Sequence, residues 1–182
     1  MKYTATEAIE KLRTVFRGRV ITLNLETVRL PNGHVTELEI MHHPGGAAVV
    51  AVDARQRVCL IRQFRHAVGG WIVELPAGKL EPNEPALATA RRELAEEAGI
   101  EAKEWVSLGD YVSSPGVLTE TVNLFMARGL RPAIMAHEAA ELIEIHWVAI
   151  GEACRRALSG DINDGKTALG LLRAQAMLAS GT

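Results

Sequence analysis

Two cysteines in a chain of 182 residues are too few for a disulfide framework. Cys59 lies inside an apolar, strand-like run. Both thiols, Cys59 and Cys154, are therefore expected to be buried or half-buried in a reducing compartment. An excess of charge is also missing: 20 Lys and Arg stand against 22 Asp and Glu, a formal net charge of −2. No long-range positive field gathers a polyanion, which argues against a nucleic-acid partner. The longest apolar run, Ala47 to Val52, is far short of the roughly 20 residues that cross a bilayer, so no membrane partner is expected. Lys2, Glu7 and Glu10 put charges where a secretory leader would carry its apolar core. Together these absences lead to the expectation of a cytoplasmic protein. What is present, 48% hydrophobic and 23% charged residues, is an ordinary globular composition whose length suits one domain with a sizeable core.

The order of elements follows from periodicity. Residues 1–12 read as a short amphipathic helix or a tail. From Arg13 to His43 the pattern is strand-like, with Pro31-Asn32-Gly33 as a hairpin signal because Asn and Gly accept positive φ. Residues 1–44 are read as a small β-rich N-terminal segment, and 45–182 as the main domain. Ala47–Val52 and Val58–Ile61 have the length and β-branched content of buried strands, with a polar turn from Asp53 to Arg57 between them. A loop from His66 to Gly70 leads to a strand over Trp71–Leu75. Leu87, Ala90, Leu94 and Ala98 mark one stripe of a helix over 84–98, which Gly99 stops. Strands are expected at 104–112, 121–127 and 142–148, and helices at 149–158 and 165–179. Strands flanking a helix, with two helices at the end, give an α/β layered domain with a mixed sheet.

Chemistry is concentrated between Gly78 and Ile100. Glu93, Glu96 and Glu97 stand at i, i+3 and i+4 of the helix and project from one side. Like charges so placed repel by a few tenths of a kcal/mol per pair, about 0.2–0.5, unless something offsets them. A hard divalent cation does so; Mg²⁺ prefers carboxylate and water oxygens and also bridges phosphates. A solvated acidic helix face is the plain alternative. Two features weigh against it. Pro76-Ala77-Gly78 precedes the helix as a loop whose backbone can approach a ligand closely, and Arg92 can neutralise Glu84 or orient a neighbouring carboxylate.

The order of residues is Gly78, five residues, Glu84, seven residues, then Arg92-Glu93-Leu94-Ala95-Glu96-Glu97-Ala98-Gly99-Ile100. It resembles the box of the Nudix family at all nine fixed positions. The resemblance implies the Nudix fold, an α/β/α sandwich with the box as loop, helix and loop. It also implies metal-dependent hydrolysis of a nucleoside diphosphate linked to a second group. By that resemblance Glu93 and Glu97 are the main metal ligands, with Glu96 close by and the carbonyl of Ala77 completing the set. Glu84 and Arg92 would brace loop against helix. Mg²⁺ is the expected ion, with Mn²⁺ as a substitute.

The second group is read from other residues. Pro115 stands sixteen residues after Gly99, within Ser113-Ser114-Pro115-Gly116-Val117-Leu118-Thr119-Glu120. This resembles the ADP-ribose pyrophosphatase subgroup, which implies that Ser114 and Glu120 touch the terminal ribose or the diphosphate. Taken alone, Ser-Pro-Gly is a turn. Arg65, at the end of Arg62-Gln63-Phe64-Arg65, carries a planar fork suited to phosphate oxygens, and Glu81 matches a substrate-side acid of such enzymes. Phe64 and Trp71 are candidates to stack on a base or simply to pack. Glu141 or Glu138 is expected to be the general base, ahead of His137. His42, His43 and His146 lack partners at ligand spacing and are read as structural. The N-terminal segment resembles the part that such enzymes exchange in a homodimer. The expected reaction is ADP-ribose to AMP and ribose 5-phosphate. The alternatives are a GDP-mannose or other nucleotide-sugar pyrophosphatase and, more remotely, a non-catalytic module that senses ADP-ribose. The complete set of box carboxylates speaks against the last.

Overall fold

The computed structural model describes residues 4–136 and 142–180. They form two compact units: one runs to Gly45 and takes in Val112–Glu120, and the other comprises Gly46–Tyr111 and the chain from Thr121 onward.

The first unit is a three-stranded antiparallel sheet in the order β1-β2-β3: β1 Ile9–Arg17, β2 Thr22–Arg29 and β3 Val35–His42. The hairpin turn forms where Pro31-Asn32-Gly33 predicts it. Gly33 has φ +85°, and the Leu30 N–H donates to the His34 carbonyl at 2.8 Å. The helix or tail expected over residues 1–12 is corrected. A single 3-10 turn covers Thr6–Ala8, and Ile9 already begins a strand that pairs with β2 along its length. That strand lies at a sheet edge with no buried face, so its backbone bonds, not an apolar alternation, define it.

The second unit has two sheets: β7-β4-β9-β8 and β10-β5-β6. Its strands are β4 Gly46–Ala51, β5 Arg57–Arg65, β6 Gly70–Glu74, β7 Ala77–Lys79, β8 Ile100–Val112, β9 Thr121–Pro132 and β10 Ile143–Ala149. The helices are α1 Ala86–Ala98, α2 Ile150–Ser159 and α3 Gly165–Ser180. The first of these sheets is mixed: β4 runs parallel to β9 and antiparallel to β7. Every residue of β4 is buried, because both of its faces are covered. Its side chains divide by the two-residue period of a strand. Ala47, Val49 and Ala51 pack with Ala90, Leu94 and Ala98 of α1. Ala48 and Val50 pack with Ala153 and Cys154 of α2 and Leu171 and Ala174 of α3. Helices therefore cover both faces, the layered α/β arrangement that the sequence predicts.

One element was not expected. Pro76-Ala77-Gly78 does not form a simple loop: Ala77–Lys79 is a short strand on β4, with Ala77 opposite Ala48 and Gly78 opposite Ala47. Three residues are too few to show a period, so the sequence carries no signal for it. The consequence is functional, since the strand fixes the backbone just before α1.

Candidate active site

The helix α1 ends at Gly99, which adopts φ 65° and donates its N–H to the Ala95 carbonyl at 2.9 Å. The cap fixes the last turn, where the acidic cluster sits. Glu93 and Glu97 lie on the buried side of α1 beside Ala90 and Leu94, at 9% and 2% exposure. Two carboxylates inside a core boundary carry a large desolvation cost, so they must be held by donors or by a cation.

Donors come from both sides. The Ala77 N–H donates to Glu97 Oε2 at 2.7 Å, so β7 grips the end of that side chain. Arg92 serves three carboxylates. Nη2 and Nε reach the two oxygens of Glu84 at 3.0 and 3.1 Å, and Nη1 reaches Glu93 Oε1 at 2.7 Å and Glu96 Oε2 at 3.1 Å. Arg92 thus both pairs with Glu84 and holds the neighbouring carboxylates of Glu93 and Glu96. Glu84 also accepts from Thr89 Oγ1 at 2.8 Å and from the Glu81 N–H at 3.2 Å. The hydrogen bond from Arg92, aided by these two donors and by the charge of Arg92, outweighs burial and pulls the Glu84 carboxyl down to about 2. Arg92 is pushed up by the same pair and by Glu93 and Glu96.

Glu84, Glu93 and Glu96 share one guanidinium, with Glu97 held beside them by the Ala77 N–H, and the surplus negative charge suits a hard divalent cation. Space has been made for the Glu93 carboxylate: a Cβ on Gly78 would stand 1.8 Å from its Oε1. Among the described residues, no three acidic, imidazole or thiol groups converge as a ready-made cage. Mg²⁺ commonly binds through one or two carboxylates, its own waters and substrate phosphates, so this donor set fits that mode.

Arg65, at the end of β5, is anchored: its Nε donates to Glu74 Oε2 at 2.7 Å. Burial pulls its pKa down. The Glu74 hydrogen bond and charge, with the charges of Glu97 and Asp164, outweigh that and raise it. Glu74 is buried, and its other oxygen takes Lys166 Nζ from the start of α3. Lys166 also reaches Asp164 Oδ2 at 3.0 Å. Sequence reading passed over Glu74, Asp164, Lys166 and Thr167. A lone acid inside Trp-Ile-Val-Glu-Leu, and an Asp three residues before Thr167 at a helix start, were the available signals.

Glu81 is exposed in the turn before α1. Phe64 and Trp71 pack edge to face with centroids 6.0 Å apart, and Arg62 stacks over Trp71 at 4.5 Å. Ser114 and Glu120 belong to the first unit. The Ser114 carbonyl accepts from the N–H groups of Val117 and Leu118, which makes Ser-Pro-Gly a turn. Glu120 lies 3.3 Å from His43 Nδ1, and His42 Nε2 lies 2.5 Å from Glu26, so both histidines have carboxylate partners. The general-base candidates Glu138 and Glu141, with His137, lie outside the described residues.

Comparison with known proteins agrees with this geometry. The model of the NUDIX domain matches residues 41–168. An ADP-ribose pyrophosphatase of Bacillus subtilis is 38% identical over 170 residues, 92% of this chain and 91% of that one. A methanol dehydrogenase activator of Bacillus methanolicus is 35% identical, covering 87% of each chain. An ADP-ribose pyrophosphatase of Mycobacterium tuberculosis is 36% identical over 90% of this chain and 81% of its own. A crystal structure of an ADP compounds hydrolase superposes with a TM-score of 0.82 at 22% identity, covering 95% of this chain and 94% of that one.

Proposed function

The chain belongs to the Nudix family, and we propose that it hydrolyses the pyrophosphate bond of ADP-ribose to AMP and ribose 5-phosphate. The observation that carries the chemistry is the pair of buried carboxylates Glu93 and Glu97, gripped by Arg92 and by the Ala77 N–H. The substrate is carried by likeness to two ADP-ribose pyrophosphatases over most of the chain. It is supported by the Pro115 spacing.

A divalent cation is required, as in the family generally, and we assign Mg²⁺, with Mn²⁺ as a substitute. Glu93 and Glu97, with Glu96 and the carbonyl of Ala77, are the groups that would hold it. When bound, such an ion neutralises diphosphate charge and makes the attacking water easier to deprotonate. The chain's own groups do the rest. Arg92 keeps the Glu93 and Glu96 carboxylates in place before substrate arrives, so no reorganisation is needed at the moment of reaction. Arg65, anchored by Glu74, presents its terminal amines to a phosphate oxygen. Glu81 is assigned to the substrate side.

Leu12, Val15 and Phe16 of β1 are half exposed, an unusual density of apolar side chains for one strand. We read this exposed edge strand of the N-terminal segment as the part that a second copy of the chain covers, making a homodimer. Light scattering of wild type and of Phe16→Ser tests it; a monomeric wild type contradicts it.

Glu97→Gln tests the catalytic reading. The amide keeps the shape of the side chain and removes its charge, and kcat should fall by at least about a hundredfold. A Glu97→Gln protein with wild-type turnover overturns it.

A further inference from the structure

We propose that Lys166 is a positioning residue: by holding one oxygen of Glu74, it leaves Glu74 to fix Arg65 through Nε alone and keeps the terminal amines of Arg65 open for a substrate phosphate. The inference rests on the reading of Arg65 as the diphosphate-binding residue.

Glu74 divides its carboxylate between two cations. Oε2 accepts from Arg65 Nε at 2.7 Å, and Oε1 accepts from Lys166 Nζ. Among the described residues, neither terminal amine of Arg65 has a hydrogen-bond partner. Lys166 is itself held. Asp164 Oδ2 takes its Nζ at 3.0 Å, the Thr167 N–H at 3.1 Å and Thr167 Oγ1 at 2.5 Å. Thr167 Oγ1 in turn accepts from the Leu75 N–H at 2.8 Å, in a buried position. The bonds close a ring from the Glu74 side chain through Lys166, Asp164 and Thr167 to the backbone of the residue after Glu74. One turn of α3 thereby fixes the end of β6, from which Pro76 and Ala77 lead to the Glu97 contact.

The charges balance: Glu74 and Asp164 against Arg65 and Lys166. Each cation also feels more than one acid, which raises both above their ordinary values although burial opposes the shift. Without Lys166 the buried Glu74 keeps a single counter-charge. A guanidinium fork then gains most by turning both faces of its donor set onto that carboxylate. Arg65 would be captured, and its terminal amines lost to the substrate. Capture weakens substrate binding and leaves the Glu93 and Glu97 carboxylates untouched, so the effect falls on KM rather than on kcat.

The test compares Lys166→Met, Glu74→Gln/Lys166→Met and Arg65→Ala in steady-state hydrolysis of ADP-ribose at saturating Mg²⁺. Lys166→Met should raise KM by about tenfold, the worth of one charge-assisted hydrogen bond, with kcat changed by no more than about threefold. Adding Glu74→Gln removes the carboxylate that captures Arg65, and the double variant should regain most of the lost KM. A merely structural role for Lys166 predicts the reverse, a double variant worse than the single one. If Lys166→Met does not fold, the double variant, whose remaining charges Arg65 and Asp164 balance, carries the test alone: its KM should lie near that of wild type, and a KM as high as that of Arg65→Ala overturns the proposal. An unchanged KM in folded Lys166→Met also overturns it, while a raised KM in Arg65→Ala keeps the diphosphate reading standing. An unchanged KM in Arg65→Ala removes both. The reading of function itself is tested by the wild type alone.

Discussion

Gly78 has no side chain where Glu93 keeps its carboxylate: a Cβ on residue 78 would stand 1.8 Å from Glu93 Oε1 and 2.1 Å from its Cδ. The obstacle is the end of a flexible side chain, so Gly78→Ala can fold by swinging Glu93 away from Arg92. Displacing a reacting group by about 1 Å is enough to cost ~10²-fold in rate. Gly78→Ala should therefore lose about two orders of magnitude in kcat with little change in Tm. Wild-type kcat in this variant would show that the Glu93 position does not matter.

The pairing of Glu84 with Arg92 sets an acid limit on stability. The folded-state pKa of Glu84 is pulled below its ordinary value of 4.5 to about 2, first by the Arg92 hydrogen bond. A depressed carboxylate contributes stability that is fully present above the unfolded-state pKa and is lost as pH falls through the folded one. The Tm difference between wild type and Glu84→Gln should therefore be largest above about pH 5 and shrink steadily toward about pH 2. A difference independent of pH contradicts the pairing.

Gly170 lies in the middle of α3, where exchange for Ala ordinarily gains about 1 kcal/mol. Here a Cβ would meet Leu75 Cδ1 at 2.8 Å and Val50 Cγ2 at 3.3 Å, both on fully buried residues. Overpacking costs about 1–3 kcal/mol and offsets the helical gain. Gly170→Ala should lower Tm by a few degrees, about 2–4 °C per kcal/mol lost at this size. A raised Tm would mean that the helix and β4 separate at no cost.

Cys59 is fully buried; burial first, then the charge of Glu97, pushes its thiol up to about 12. Cys154 is also buried, and burial raises it. The thiolate is the reactive form. Neither cysteine should react with a thiol reagent at neutral pH until denaturant is added, and fast modification of the folded protein would contradict this.

Legibility in the sequence followed the length scale of each signal. Long periodic segments were readable: the stripe Leu87, Ala90, Leu94 and Ala98 gives α1, and Ala47–Val52 gives β4, each within a residue or two. The first residues of β1, Ile9 to Leu12, were not, because an edge strand with no buried side has no pattern to read. In the site, helical spacing brings Glu93 beside Glu97 and Arg92 beside Glu96, whereas Glu84, which precedes the helix, was joined to Arg92 by the resemblance of the box. The ring through Glu74, Lys166, Asp164 and Thr167 joins residues up to 92 positions apart. No local spacing reports such a meeting; only the packing of α3 against β6 creates it. Arg65 was singled out as a phosphate ligand, yet its anchor Glu74, nine residues on, was not.

The most direct measurement is the hydrolysis of ADP-ribose and GDP-mannose by the wild-type protein, with Mg²⁺ and after its removal by EDTA. ADP-ribose should exceed GDP-mannose in kcat/KM by at least about tenfold, a difference of ~1.4 kcal/mol in transition-state binding. Both activities should vanish with the metal. Preference for GDP-mannose would contradict the substrate assignment, and hydrolysis that survives EDTA would contradict the role given to Glu93 and Glu97.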